Sequence, residues 1–156
     1  MTIAVTGHRD IVIDENLIAQ IDTFFMQMIK RYEKVTLLSA LADGADQLVA
    51  KRALKHKDIC LEVPLPLPQE DYEKTLTDKS NFLKLLHEAT RSYVLPKVHT
   101  HPYENLGYYL VQNADILLAL WDGSYNAEQG GTGDVVRYAK SQNTTIVHIL
   151  SKRSNY

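Results

Sequence analysis

Three features of the sequence together predict an α/β fold, in which a mostly parallel sheet carries helices on both faces and so forms three layers. Short apolar runs such as Thr2–Thr6 and Asp115–Trp121 are typical of buried parallel strands. Amphipathic runs alternate with them, and in the longest, about residues 14–33, apolar side chains return every three or four residues. Loops that contain glycine follow several strands directly. Repeated strand–helix alternation implies right-handed crossovers, and hence parallel strands.

The elements are predicted in the following order. Five core strands and one edge strand are expected at Thr2–Thr6, Val35–Ser39, Ile59–Val63, Ser92–Leu95 (the edge), Asp115–Trp121 and Thr144–Leu150. Six helices are expected at about residues 14–33, with Asp14 as the N-cap, and at about 45–56, 69–76, 79–89, 104–113 and 132–142. Pro64 is expected to end the third strand, and the run to Pro68 to be extended. Residues 1–150 are predicted to form a single domain, followed by a polar, frayed tail at 151–156.

Composition narrows the class of protein. The formal net charge of −2 argues against broad, non-specific binding of nucleic acid, which needs a basic surface. Cys60 is the single cysteine, the N-terminus has no basic region of a signal peptide, and no apolar run approaches the roughly 20 residues of a membrane helix. These features predict a cytoplasmic protein that does not enter a membrane.

The glycine turn Gly130-Gly131-Thr132-Gly133-Asp134 is the most specific signal for a ligand. It lies between an apolar strand and an amphipathic helix, so backbone N–H groups are left uncovered at the positive end of the helix dipole. Such a helix start binds anions, phosphate above all. We therefore expect Gly130, Gly131, Gly133 and the Thr132 hydroxyl to hold a phosphate.

Other polar loops follow the strands that the fold brings to the same edge of the sheet. In open α/β sheets ligands bind beyond the carboxyl ends of the strands, near the point where the strand order reverses. The expected ligand-binding residues there are Gly7, His8, Arg9, Ser39, Gly44, Asp46 and Asp122. Arg9 is expected to neutralise a phosphate, and Asp122 or Asp134 to accept hydrogen bonds from ribose hydroxyls. The loop 124–129 is expected to fold over the ligand.

A structural role is the alternative for each of these side chains. Arg9 would then pair with Asp10 or Asp14, and Asp46 would only cap the turn before its helix. Asp122 would only shape a turn. His99 and His101, with Glu104, suggest a metal, but nothing else in the sequence supplies a third or fourth ligand at a recognisable spacing. Neither a metal nor a cofactor is therefore expected.

Three segments taken in order resemble the SLOG superfamily, named for the Rossmann-like domains of DNA-processing protein A and the Lonely Guy enzymes. They are Val5-Thr6-Gly7-His8-Arg9, Leu38-Ser39-Ala40-Leu41-Ala42-Asp43-Gly44-Ala45-Asp46 and Gly130-Gly131-Thr132-Gly133-Asp134-Val135-Val136. The closest resemblance is to small bacterial members with a Gly-Gly-Thr-x-Asp-Val-Val ending. The resemblance implies a Rossmann-like fold, recognition of nucleotides or nucleotide-derived ligands, and a homodimer formed through helices that flank the sheet.

Departures from the enzymes of that superfamily favour binding over catalysis. Arg137 or Val135, depending on the alignment, stands where the related hydrolases and transferases keep a catalytic glutamate. Neither side chain supplies a carboxylate. The leading hypothesis is a nucleotide-binding protein or sensor. The alternative is an N-glycosidase acting on a nucleoside monophosphate, with Asp134 as the catalytic carboxylate and His8 or Arg9 on the phosphate. A scaffold whose ligand site has decayed is a third possibility, and DNA is not the expected partner.

Overall fold

The computed structural model describes residues 1–125 and 130–154. Six parallel strands form one sheet in the order β4-β3-β2-β1-β5-β6. The strands are β1 (Thr2–Gly7), β2 (Val35–Leu38), β3 (Ile59–Leu65), β4 (Arg91–Val94), β5 (Ile116–Trp121) and β6 (Thr145–Leu150). The helices are α1 (Glu15–Arg31), α2 (Ala45–Ala53), α3 (Gln69–Glu73), α4 (Lys79–Glu88), α5 (Pro102–Asn113) and α6 (Thr132–Ser141).

The helices lie in two layers. Helix α2 packs against α1 and α4, whereas α5 packs against α6, and both groups contact β1. The predicted α/β class is confirmed, with a sheet that is parallel throughout rather than mostly so. Among the described residues, no helix combines the length and the apolar character needed to cross a membrane.

The core explains why these runs adopt these structures. Strands β1 and β5 each have a neighbouring strand on both sides. Val5, Leu117 and Leu118 are fully buried, as expected for strands covered on both faces. Helix α1 turns one apolar stripe inward, and the side chain of Asp14 accepts a hydrogen bond from the Leu17 N–H at 2.8 Å. The predicted N-cap of this helix is therefore confirmed.

The strand order reverses between β1 and β5. The chain runs outward from β1 through β2 and β3 to β4, then returns to place β5 on the other side of β1. Gly7 is in register with Leu120, so the loops that follow β1 and β5 leave the same edge of the sheet. This topology places a crevice at the carboxyl ends of the two strands.

Pro64 does not end β3, contrary to the prediction. The strand continues to Leu65, with Pro64 in register with Tyr93 of β4. The carbonyls of Leu61 and Leu65 accept hydrogen bonds from the β4 side, whereas that of Glu62 accepts one from Ser39 on the β2 side. Because backbone groups alternate in direction along a strand, Pro64 points towards β2, which has already ended. The proline therefore removes no hydrogen bond from the sheet.

The polar tail is docked as far as the structure describes it, rather than frayed. Val12 donates a backbone hydrogen bond to the Lys152 carbonyl at 2.8 Å, and Ile11 forms an antiparallel bridge with Arg153. The Arg153 Nε donates to Asp10 Oδ1 at 2.9 Å. This pair ties the end of the chain to the loop after β1. Residues 126–129 of the expected lid and residues 155–156 of the tail lie outside the described residues.

Candidate functional site

A cleft of about 740 Å³ opens at the point where the strand order reverses. The end of β1, the first turn of α2, helix α3, helix α5 and the start of α6 all contribute to its walls. Its size is that of a small-molecule site. Of the predicted site residues, seven line it: Gly7, His8, Arg9, Asp46, Gly130, Gly131 and Thr132.

The start of α6 faces this cleft. Gly131 is the N-cap of the helix and Thr132 its first residue, and both line the cleft. Gly130 has φ +77°, and a Cβ atom there would lie 2.8 Å from the Tyr103 carbonyl carbon, so only glycine fits between the turn and α5. The first-turn amides of a helix have no partner within it. The positive end of the α6 dipole is thus directed at the cleft.

Asp134 and Gly133, from the same turn, do not line the cleft. Asp134 lines a neighbouring groove of about 360 Å³ between α5 and α6. One of its carboxylate oxygens accepts from the Gly130 N–H at 3.0 Å, and the other accepts from Arg137 at 3.3 Å. Asp134 therefore shapes the glycine turn, and its carboxylate is held by groups of its own helix and turn.

His8 and Asp122 meet at the ends of β1 and β5. The His8 Nε2 lies 3.2 Å from Asp122 Oδ1 and 3.3 Å from the Asp122 backbone N. Burial by itself would raise the pKa of Asp122, but hydrogen bonds from the Ser124 N–H and hydroxyl, together with His8, outweigh it and lower the pKa to about 2. Asp122 is not among the cleft-lining residues. Its contacts hold His8, and His8 is the member of the pair that reaches the cleft.

Arg9 lies at the rim of the cleft. Its Nη1 donates to the Thr75 carbonyl at 2.9 Å and lies 3.9 Å from Asp43 Oδ2. The guanidinium carbon is 5.8 Å from the centre of the Tyr103 ring. The structural alternative paired Arg9 with Asp10 or Asp14. Arg9 instead lies near Asp43, and the Asp10 carboxylate is bonded to Arg153.

The loop between β2 and α2 is organised by its buried polar groups. Ser39 is fully buried, and its hydroxyl accepts from the Leu41 N–H at 3.2 Å and donates to the Asp46 carbonyl at 3.4 Å. Leu41 has φ +57°, a conformation that few side chains adopt. Gly44 packs against the carbonyls of His8 and Arg9 and lines another cavity. Ser39 and Gly44 therefore shape this loop from outside the cleft.

Asp46 is the carboxyl group that this loop presents to the cleft. Its side chain is almost completely buried in the first turn of α2, and its Oδ2 accepts from the Ala42 N–H at 3.4 Å. Burial raises the pKa of Asp46 to about 7, although the Ala42 hydrogen bond and the charge of Arg9 act in the opposite direction. A carboxyl with a strongly raised pKa in a cleft is a typical feature of functional sites.

Other polar side chains also line the cleft, among them Tyr72, Tyr103 and Arg153. Tyr72 follows a proline-rich run, and Arg153 lies in a tail with no periodic pattern, so neither carried a sequence signal for a site. His101 also lines the cleft, and its Nδ1 accepts from the Glu104 N–H at 3.4 Å as the N-cap of α5. Among residues 1–125 and 130–154, no group of three or more His, Cys, Asp or Glu side chains is arranged to hold a metal.

The fold and the cleft together define a Rossmann-like α/β protein with a candidate ligand site at the strand-order reversal. No model of a known protein family matches the chain, and no curated protein matches its sequence.

Among the solved structures that share the fold are those of two named proteins. One is DNA processing protein A from Helicobacter pylori, whose structure was solved to explain its single-stranded DNA binding mode. It superposes with a TM-score of 0.67 at 14% sequence identity, and the match covers 99% of this chain and 67% of that chain. The Moco carrier protein from Chlamydomonas reinhardtii superposes with a TM-score of 0.56 at 18% identity, covering 95% and 75%. The first of these binds single-stranded DNA, a partner that the sequence did not lead us to expect for this chain. At these identities the likeness establishes the fold and leaves the partner open.

Proposed function

We propose that the cleft binds a nucleotide or nucleotide-derived phosphorylated ligand, as a sensor or binding protein. The observation that carries this proposal is the start of α6, where Gly131 and Thr132 face the cleft at the positive end of the helix dipole. Arg9 at the rim adds a positive charge. The two structural neighbours, one studied for its binding of single-stranded DNA and one a carrier protein, are in keeping with a binding role.

The phosphate is expected on the α6 side of the cleft. Asp46 lies on the opposite side, in the first turn of α2, and its ionised form would repel an anion. The α6 side offers backbone amides and the Thr132 hydroxyl, which all favour a negative charge.

We further propose that residues 1–150 act as one binding domain that forms a homodimer, which light scattering would detect as a doubled mass.

The Thr132→Val variant tests the phosphate site, because valine keeps the shape of threonine and removes the hydroxyl. Isothermal titration would use inorganic phosphate, nucleoside mono- and diphosphates, cyclic nucleotides and ADP-ribose. A loss of about 5–10-fold in affinity is expected from one charge-assisted hydrogen bond. The matched control is Thr145→Val. Thr145 is exposed at the amino end of β6, whereas the cleft lies at the carboxyl ends of the strands.

The same titration includes a single-stranded oligonucleotide as a competing ligand. Binding that exceeds that of every nucleotide and falls steeply with salt would replace the proposal by a DNA-binding function. Failure of every nucleotide to bind the wild-type protein would overturn it.

The N-glycosidase alternative has less support from the site. Asp134, the carboxylate that it requires, is bonded to Gly130 and Arg137 and lies in the neighbouring groove. Release of free base from a nucleoside monophosphate, abolished by Asp134→Asn, would nevertheless establish it.

A further inference from the structure

The Tyr72 hydroxyl is a buried polar group without a partner. The side chain is fully buried, and its ring packs edge-on against Phe82 with ring centres 5.8 Å apart. Within the described part of the chain, this hydroxyl is the one buried side-chain polar atom that makes no hydrogen bond. Buried hydroxyls are nearly always bonded, and leaving one unbonded costs stability. The missing hydrogen bond of the Tyr72 hydroxyl therefore needs a physical explanation.

Its surroundings supply one, because Tyr72 lines the cleft together with Asp46. Burial raises the pKa of Tyr72, and the nearby charge of Asp46 raises it further. The other polar groups that act on the hydroxyl are Arg9, Tyr103 and Asp43. Arg9 Nη1 is bonded to the Thr75 carbonyl, and Asp46 is the nearby charge that acts most strongly on the Tyr72 hydroxyl.

Asp46 also has hydrogen-bonding capacity to spare. Its Oδ2 accepts from Ala42, and no described residue donates to its Oδ1. The Tyr72 phenol can donate one hydrogen bond and accept others, and the Asp46 Oδ1 beside it can accept one. A phosphate would be repelled by the carboxylate. The complementary group is uncharged and carries a donor next to an acceptor, as a sugar hydroxyl or the amide edge of a base does.

We infer that Tyr72 and Asp46 form the subsite for the unphosphorylated end of the ligand. This inference rests on the proposed nucleotide-binding function and assigns a polarity to the cleft. The phosphate lies at the start of α6, and a sugar hydroxyl or base edge donates to Asp46 and accepts from Tyr72. The Tyr72 hydroxyl is then unpaired only while the cleft is empty.

The Tyr72→Phe variant tests this inference without any ligand. Removal of an unpaired buried hydroxyl is expected to raise the melting temperature by about 3 °C. The matched control is Tyr93→Phe, because the Tyr93 hydroxyl is bonded to that of Tyr109 at 2.6 Å and lies outside the cleft. The control is expected to lower the melting temperature. A lower melting temperature for Tyr72→Phe would overturn the inference, because the hydroxyl would then be paired in the empty protein.

Calorimetric titration with AMP, GMP, CMP, UMP, ribose 5-phosphate and inorganic phosphate gives the second readout. Tyr72→Phe and Asp46→Asn are each expected to weaken the tightest nucleotide about tenfold. Neither should weaken inorganic phosphate, whereas Thr132→Val weakens both. A matching loss for ribose 5-phosphate assigns the contact to a sugar hydroxyl, and a loss confined to nucleotides assigns it to the base.

The failures of the two proposals are distinguishable. If the wild type binds a nucleotide and Tyr72→Phe binds it equally well, this inference alone is overturned. If no nucleotide binds the wild type, the proposed function and the inference are overturned together.

Discussion

The Asp46→Asn variant is expected to be more stable than the wild type, by an amount that grows with pH. Burial raises the pKa of Asp46 from 3.8 to about 7, so between these values the folded state binds a proton that the unfolded state releases. The free energy of unfolding of the wild type therefore falls as the pH rises through this window. The asparagine does not titrate, and its side-chain oxygen still accepts from Ala42.

The magnitude follows from the gap between the two pKa values. At 1.36 kcal/mol per pH unit, the raised pKa of Asp46 lowers the free energy of unfolding by about 4 kcal/mol at pH 8.5 and by about 1.5 kcal/mol at pH 5. The variant should exceed the wild type by these amounts, or by about 10 °C in melting temperature at pH 8.5.

Urea unfolding of both proteins at several pH values between 5 and 8.5 measures the difference directly. Asp22→Asn is a control of opposite sign, because the hydrogen bond from Arg52 lowers the pKa of Asp22. That carboxylate stabilises the fold above its ordinary pKa, so its variant should lose a constant amount across the range. A difference between Asp46→Asn and wild type that stays flat with pH would refute the reasoning.

Three further substitutions test other contacts. Gly44→Ala places a Cβ 2.6 Å from the His8 carbonyl oxygen at φ +78°, and urea unfolding should show a loss of about 3–5 kcal/mol. Gly123 has φ +88° but open space around it, so Gly123→Ala should cost only about 1–2 kcal/mol. Equal losses for the two variants would contradict the close packing at Gly44. Asp134→Asn should change nucleotide affinity less than twofold by calorimetry, since its carboxylate lies in the α5–α6 groove, and a tenfold loss would place it at the ligand. Arg153→Ala should lower the free energy of unfolding by about 1–2 kcal/mol through loss of its bond to Asp10, and an unchanged value would indicate a frayed tail.

The order and type of the elements were predictable from the sequence because they depend on local pattern. The apolar stripe of α1 and its Asp14 cap, and the continuous apolar run of β5, each carry their own signal. Pro64 shows the limit of such patterns. A proline breaks a strand only if its missing N–H faces a neighbour, and the end of β2 that decides this is a property of the sheet.

The candidate site divides in the same way. The roles of the predicted site residues remain predictions, but some of these residues line the cleft and others do not. Gly131 and Thr132 face the cleft, whereas Asp134, two residues further along the helix, turns to the neighbouring groove. A change of about 200° around the helix axis over two residues accounts for the difference, and which direction faces the cleft depends on how α6 packs against α5.

The sequence by itself determined the α/β class, the positions of the helices and strands, and the glycine turn at the start of α6, because each is encoded in residues close together in the chain. Tertiary structure alone decided that Asp46 is buried beside an unpaired Tyr72 and that Arg153 reaches the loop after β1. Burial and pairing depend on residues far apart in the chain, which no local pattern brings together.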